Sequence, residues 1–194
     1  MRRIIMFMFL LVIGCFSSVS YAAINESSSN VTDTALFIQI DPNGVGKPKE
    51  TEQLICSDVQ KKLNASHHDI ISTEKTQQDL RVYIRENADT LTKRDADEGY
   101  VLKSKDFKAL AQLENVRYIV LVSSRITSAE TKSNFWSGSR KNVTVLTEVV
   151  VYDAQESKYL MDEEFTNIGK TSGSNDRAYS RAIKEMLKQV NFTY

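Results

Sequence analysis

Cysteine is almost absent: Cys15 and Cys56 are the two in 194 residues. A disulfide-stapled scaffold is therefore excluded, and stability has to come from an apolar core. Charge of one sign is missing too. Lys and Arg number 25, matched by 25 Asp and Glu, and loss of Arg2 and Arg3 leaves 23 basic against 25 acidic side chains. A near-neutral chain offers no electrostatic case for nucleic acid or anionic lipid. Histidine occurs only as the adjacent pair His67-His68. No apolar run reaches the roughly 20 residues needed to span a bilayer.

What is present begins at the amino terminus. Arg2 and Arg3 precede Ile4–Ile13, ten residues without a polar side chain, and then the small-residue exit Ser17-Ser18-Val19-Ser20-Tyr21-Ala22. A cationic start, a short apolar run and a small-residue exit are the marks of a secretory signal peptide. Two exits fit. Ser20-Tyr21-Ala22 before Ala23 obeys the small-x-small rule, whereas Val12-Ile13-Gly14-Cys15 is similar to the bacterial lipobox, in which Cys15 becomes the lipidated first residue. Residues 23–33 then read as a polar, disordered lead-in or tether, and residues 34–194 as a single domain. Five N-x-Ser/Thr sequons start at Asn25, Asn30, Asn64, Asn142 and Asn191, and they read as coincidental in an Asn- and Ser-rich bacterial chain.

Periodicity supplies the elements. Ala35–Ile40 is a strand closed by the turn Asp41-Pro42-Asn43-Gly44. Glu52–Leu63 is a helix with Ile55, Cys56, Val59 and Leu63 on one face, and Thr73–Leu91 is another, striped by Leu80, Tyr83, Ile84, Ala88 and Leu91. Ile70-Ile71 is a candidate short strand, and Lys93–Gly99 a charged connection. Ser104 caps a helix ending at Asn115. Val116–Ile126 holds the most apolar strand, Tyr118–Val122, which suits a central position covered on both faces. Val143–Tyr152 and Lys158–Ile168 form a hairpin about Asp153–Ser157. Gly169–Gly173 reads as a linker to a last helix capped by Asn175, with Tyr179, Ala182, Ile183, Met186, Leu187 and Val190 inward. The fold class expected is α/β: a mixed sheet with early parallel crossovers and a late antiparallel meander, flanked by about four helices.

Two stretches carry a family resemblance. Leu113-Glu114-Asn115-Val116-Arg117-Tyr118-Ile119-Val120-Leu121-Val122 has the form of a helix with a small-polar cap followed by a strand of the type Ala-x-Tyr-Val-Leu-x-Gly. Val149-Val150-Val151-Tyr152-Asp153-Ala154-Gln155-Glu156-Ser157-Lys158-Tyr159-Leu160 has the form of a strand reaching an Asp, a turn and a returning strand. Over roughly Ala35 to Val190 the chain resembles bacterial envelope domains: the periplasmic domain of the curli-secretion lipoprotein (CsgG), the penicillin-binding-protein activator lipoproteins and the amino-terminal domain of TolB. It departs from them in Ser157 and Ser123, where Gly is common. The resemblance implies the α/β fold and an envelope compartment.

Candidate sites mostly dissolve into structural readings. Ile168-Gly169-Lys170-Thr171 lacks the first Gly of a phosphate loop, with Glu at 164 in its place. Adjacent His67 and His68 point apart and do not chelate one metal. Asp95-Ala96-Asp97-Glu98-Gly99 has its Gly one place early for an EF-hand, with Asp106 at the twelfth position. Asp162-Glu163-Glu164 alternates across a strand and does not converge as a catalytic pair. Cys56, among Leu54, Ile55 and Val59, reads as a buried structural thiol. Phe135-Trp136 remains as a candidate partner contact, since the single Trp lies in the polar connection Ala129–Asn142 and aromatics in solvated loops serve as anchors. In the curli-secretion lipoprotein, extensions between strands make the membrane pore, but this connection has too few apolar residues for one.

These features predict an exported, non-enzymatic envelope protein that binds another envelope protein or assembles with it. The alternative is a periplasmic module binding a small molecule or peptide. No cofactor, metal or nucleic acid is expected, and membrane attachment only through lipidation at Cys15. Intact-mass analysis of the exported chain should therefore find an amino terminus at Ala23 or an acylated Cys15, and Cys15→Ser should release the protein from membranes only in the second case. Met1 retained on a cytoplasmic protein would overturn the export reading.

Overall fold

An apolar run such as Tyr118–Val122 has no face to offer water, so a strand built on it has to be covered on both sides. The structure is a computed structural model describing residues 33–40, 48–93, 99–134 and 138–193, all within one compact unit, Val31–Tyr194. There the run opens strand β4 (Tyr118–Asn134), and its side chains alternate between two cores. β4 pairs in parallel with β1 (Thr34–Ile40), Thr34 opposite Tyr118 through to Ile40 opposite Ser124. On its other side it pairs antiparallel with β5 (Gly138–Asp153), which pairs antiparallel with β6 (Lys158–Thr171). The sheet order is β1-β4-β5-β6, and a small second sheet joins β2 (Thr92–Lys93) to β3 (Tyr100–Val101).

Helices α1 (Pro48–Ala65) and α4 (Asn175–Gln189) cover one face. There Ile55, Val59, Tyr179, Ile183 and Met186 pack on Leu36, Val120, Val149 and Val151. Helices α2 (Thr73–Glu86) and α3 (Ser104–Glu114) cover the other face, where Leu80, Phe107 and Leu110 meet Phe37, Ile119, Leu121 and Tyr152. The α/β class, the two-sided central strand and the inward stripe of the last helix stand as the sequence predicts.

Local chemistry sets the helix ends. Pro48 occupies the first helical position of α1, where its missing N–H costs nothing. At the other end His67 takes φ 63, its N–H bonds Asn64 O at 3.1 Å, and the His68 N–H bonds Leu63 O at 3.0 Å. That is the Schellman arrangement, with His in the left-handed position glycine usually fills. α3 ends the same way at Asn115 (φ 53), with the Val116 N–H reaching Ala111 O at 3.0 Å and Val116 itself buried.

Several expectations need correction. The cap of α3 is Lys103, whose N–H donates to Asp106 Oδ2 at 2.8 Å, while the Ser104 hydroxyl meets the Tyr152 hydroxyl at 2.6 Å. Ser174, not Asn175, caps α4, its Oγ accepting from the Arg177 N–H at 3.3 Å. α2 stops at Glu86 rather than Leu91 because Asn87, at φ −109, leaves the helix while its N–H and side chain both bond Tyr83 O. Ile70 contributes a single parallel bridge to Thr34 rather than a strand. Asp33, read as the end of a disordered lead-in, is placed: its O accepts from the Tyr118 N–H at 2.9 Å.

The linker expected over Gly169–Gly173 is strand as far as Thr171. Gly169 is buried opposite Val143, and a Cβ there would lie 1.6 Å from the carbonyl oxygen of Ala178 on α4. Backbone on backbone has no rotamer with which to yield, so α4 sits this close only because position 169 has no side chain. Gly169→Ala should accordingly destabilise the domain by about 3 kcal/mol or more, at the upper end of overpacking costs. Gly173→Ala, whose Cβ would approach only the flexible Arg177 Cδ at 3.0 Å, should be nearly neutral. Urea melts of the two variants make the comparison, and equal midpoints would mean α4 does not pack as described.

Candidate functional site

The polar segment Ala129–Asn142 is strand throughout its described residues. β4 continues through it to Asn134 and β5 starts at Gly138, with Asn134 opposite Gly138 and Lys132 opposite Arg140. The sequence alone gave no reason to pair it, because its side chains lack an apolar alternation. Its backbone groups are satisfied by the β4–β5 ladder regardless. One extra residue at Thr127 shifts the register between Ile126 and Ser128 and bends the strand. From Thr127 to Ser133 every β4 residue is exposed on both faces, and β6 ends opposite Lys141, so the last pairs form a two-stranded ribbon. Lys141 Nζ donates across it to Thr131 Oγ1 at 2.9 Å. Phe135 and Trp136, the candidate contact residues, lie outside the described residues, as do Cys15 and Asp95–Glu98.

A second feature lies at the carboxyl ends of the parallel strands, the place where open α/β sheets bind ligands. A groove of ≈ 960 Å³ runs between α1 and α2. Ile38–Ile40 of β1 and Ser123–Arg125 of β4 form its floor. Glu52 of α1 and Arg81 of α2 face each other across it at 3.7 Å, and the Cys56 thiol donates to Thr73 Oγ1 at 3.2 Å. Cys56 is half-buried and lines this groove, less enclosed than the buried thiol the sequence predicts.

Beside the groove, α2 seals the outer edge of β1. The Thr76 hydroxyl donates to Leu36 O at 2.7 Å. With the Gln77 amide oriented to suit both partners, its nitrogen donates to Ile38 O at 2.8 Å and its oxygen accepts from the Ile38 N–H at 2.7 Å. Two polar side chains thus stand in for a missing strand. The sequence carried a signal of this, since Thr76 and Gln77 fall on the same buried stripe as Leu80.

Several described ionisable groups are tied into structural clasps. Burial pushes the Asp153 carboxyl up, but Arg117 Nη2 at 2.8 Å and the N–H groups of Gln155 and Glu156 outweigh it, holding Asp153 below the usual carboxylate range. That clasp fixes the β5–β6 turn, where Ser157 adopts φ 58, a left-handed conformation that glycine takes more readily. Burial, with the Asp106 carboxylate 2.8 Å away, pushes the Tyr83 phenol up to about 12. Burial also raises Glu114, which pairs with Lys75. His68 is buried against Asp33 with its ring edge-on to Tyr118, while His67 is exposed, so the two imidazoles do diverge. Gly169-Lys170-Thr171 lies within β6 and cradles nothing. Among the described residues no group of three His, Cys, Asp or Glu is placed to hold a metal.

No protein-family model matches the chain, and no curated protein does. Among solved structures it is similar to lipoprotein GNA1162 from Neisseria meningitidis, with 11% identity and a TM-score of 0.40, over 81% of this chain and 96% of that one. It is similar also to the PelC dodecamer from Paraburkholderia phytofirmans (12%, TM-score 0.37, 82% and 89%). A third is the LpoB C-terminal domain from Escherichia coli (13%, TM-score 0.32, 70% and 83%). One of these is a lipoprotein by name, and none is the curli-secretion lipoprotein or TolB.

The seal on β1 is open to direct measurement. Gln77→Leu leaves the Ile38 N–H and C=O without partners, and each orphaned buried group costs about 1–3 kcal/mol. The variant should melt earlier, and the Ile38 amide should exchange far faster than in the parent. An unchanged Ile38 exchange rate would show that Gln77 does not cover the edge.

Proposed function

We propose that this chain is an exported cell-envelope protein that binds another envelope protein, as an assembly component rather than an enzyme. The observation that carries the reading is the β4–β5 ribbon. A segment exposed on both faces adds almost nothing to the core, and a two-stranded ribbon by itself is marginal in water. Polar strands kept at that length beyond the packed sheet are best explained by a surface they meet. Residues 1–22 supply the export signal. No described helix is long and apolar enough to cross a membrane. The Arg117–Asp153, Tyr83–Asp106 and Lys75–Glu114 contacts serve a turn and helix packing, which supports a structural part for those groups.

The groove between α1 and α2 favours a second reading, a module for a small molecule or peptide. Its volume lies in the range of ligand pockets, roughly 300–1,000 Å³, and its lining mixes Ile38 and Ile40 with Glu52, Gln77 and Arg81.

Replacing Thr131–Lys141 by an Asn-Gly turn joins Glu130 to Asn142 across an existing pair. The shortened protein should keep its melting temperature to within a few degrees, because the ribbon buries little. It should also lose the partner captured by crosslinking in intact envelopes. A partner retained at wild-type level would defeat the ribbon's role. A monomer that co-purifies with a small ligand and no protein would favour the groove instead.

A further inference from the structure

We propose that the outer edge of β6 accepts an extended, basic segment of a partner protein as an added strand. This rests on the protein-binding reading above and assigns that reading a second surface and a chemistry. β6 is 14 residues long and ends the sheet, so its outer side faces no strand among the described residues. Such an edge presents a row of N–H and C=O groups ready for another chain. Near its far end the Lys170 carbonyl is taken by the Arg181 guanidinium. Of the three large apolar side chains exposed among the described residues, two are on β6: Tyr159 at 41% and Ile168 at 54%.

Charge says what would dock. Asp162, Glu163 and Glu164 are exposed, and no cation among the described residues pairs with them. Asp162 lies opposite Val150, which belongs to the α3-side core, whereas Glu163 lies opposite Val149 of the α4-side core. Acid therefore projects from both faces of the edge. Glu164 lies opposite Glu148, on the same face as Asp162. A strand laid alongside meets acid on both of its faces, so its complement is a run of consecutive Lys or Arg. An antiparallel segment would also bring an apolar residue beside Ile168.

A second copy of the chain fits badly. Antiparallel pairing of β6 with itself over its full length puts the dyad between Glu164 and Phe165, so each acidic run lies opposite Phe165, Thr166 and Asn167 of the other copy, meets no cation there, and sets Glu163 diagonal to the other copy's Glu164 on one face. Like charges so placed repel.

The probe is a labelled peptide of about ten residues, the length of a strand, carrying Val-Thr-Thr-Thr-Lys-Arg-Lys and read by fluorescence anisotropy against the full exported chain. It should bind, slow amide exchange along β6, and weaken with added salt as an exposed charge interaction does. The variant D162K/E163K/E164K should weaken binding roughly tenfold or more and should instead bind the peptide with Glu-Asp-Glu in place of Lys-Arg-Lys. Should that variant fail to fold, E164K and I168E singly serve the same purpose. Overturning results are no binding to the wild type, affinity unmoved by these variants, or protection mapping to the ribbon or the groove. A wild-type dimer broken by the variants would make the occupant a second copy and equally reject the proposal. Envelope crosslinking keeps the two readings apart: a partner captured equally by wild type and the triple variant preserves protein binding and rejects the β6 edge.

Discussion

The run Tyr118–Val122 sends Ile119 and Leu121 to one side of the sheet and Val120 and Val122 to the other, so neither face of β4 tolerates water. Each of these side chains is worth on the order of 1.5–3 kcal/mol when buried. That demand is met by two helices on each face and by strands on both flanks, and it dictates β4's central place. It also explains where coverage stops. Ser123 and Ser124 are still buried, Ser124 against the Tyr179 hydroxyl of α4, but from Thr127 the strand carries no large apolar side chain through Asn134, so packing helices there would gain little. The ladder with β5 nevertheless continues, because backbone hydrogen bonding is indifferent to side-chain polarity. The exposed ribbon is the same strand after its apolar residues have run out.

Much of this was legible because burial writes itself as period. The stripe Tyr179, Ala182, Ile183, Met186, Leu187 and Val190 marks α4, and all six are buried. The alternation of Asp162, Glu163 and Glu164 across β6 was equally plain. What the sequence hides is whatever depends on a distant neighbour. Gly169 looks like a linker residue until Ala178 is brought over it. Thr76 and Gln77 share a stripe with Leu80, but what they bond there is settled only when β1 offers them an unpaired edge. His67-His68 was legible as a diverging pair, but not that His67 takes a left-handed helix end while His68 is buried against Asp33. The ribbon was misread for a related reason: strand reading from sequence relies on alternating polarity, and an uncovered two-stranded segment has none. That β6 is an edge at all is a fact of topology, which no local pattern contains.

The two edges of the sheet are treated by opposite chemistries. On the β1 side Asp69, Thr76 and Gln77 supply donors and acceptors, so nothing can be added without displacing them. On the β6 side no described residue covers Asp162–Ile168 in that way, and a long bare edge is a standing invitation to pair with other copies. Tyr159, Leu160 and Met161 sharpen that hazard, since apolar residues of strand-forming type beside an open edge are what aggregating segments are made of. The three carboxylates that follow them answer it. They project from both faces, so no register that keeps the strand fully paired with its own copy avoids bringing acid near acid. Carboxylates that repel a like strand attract an unlike one, and self-avoidance and partner choice thereby become two consequences of one short acidic run.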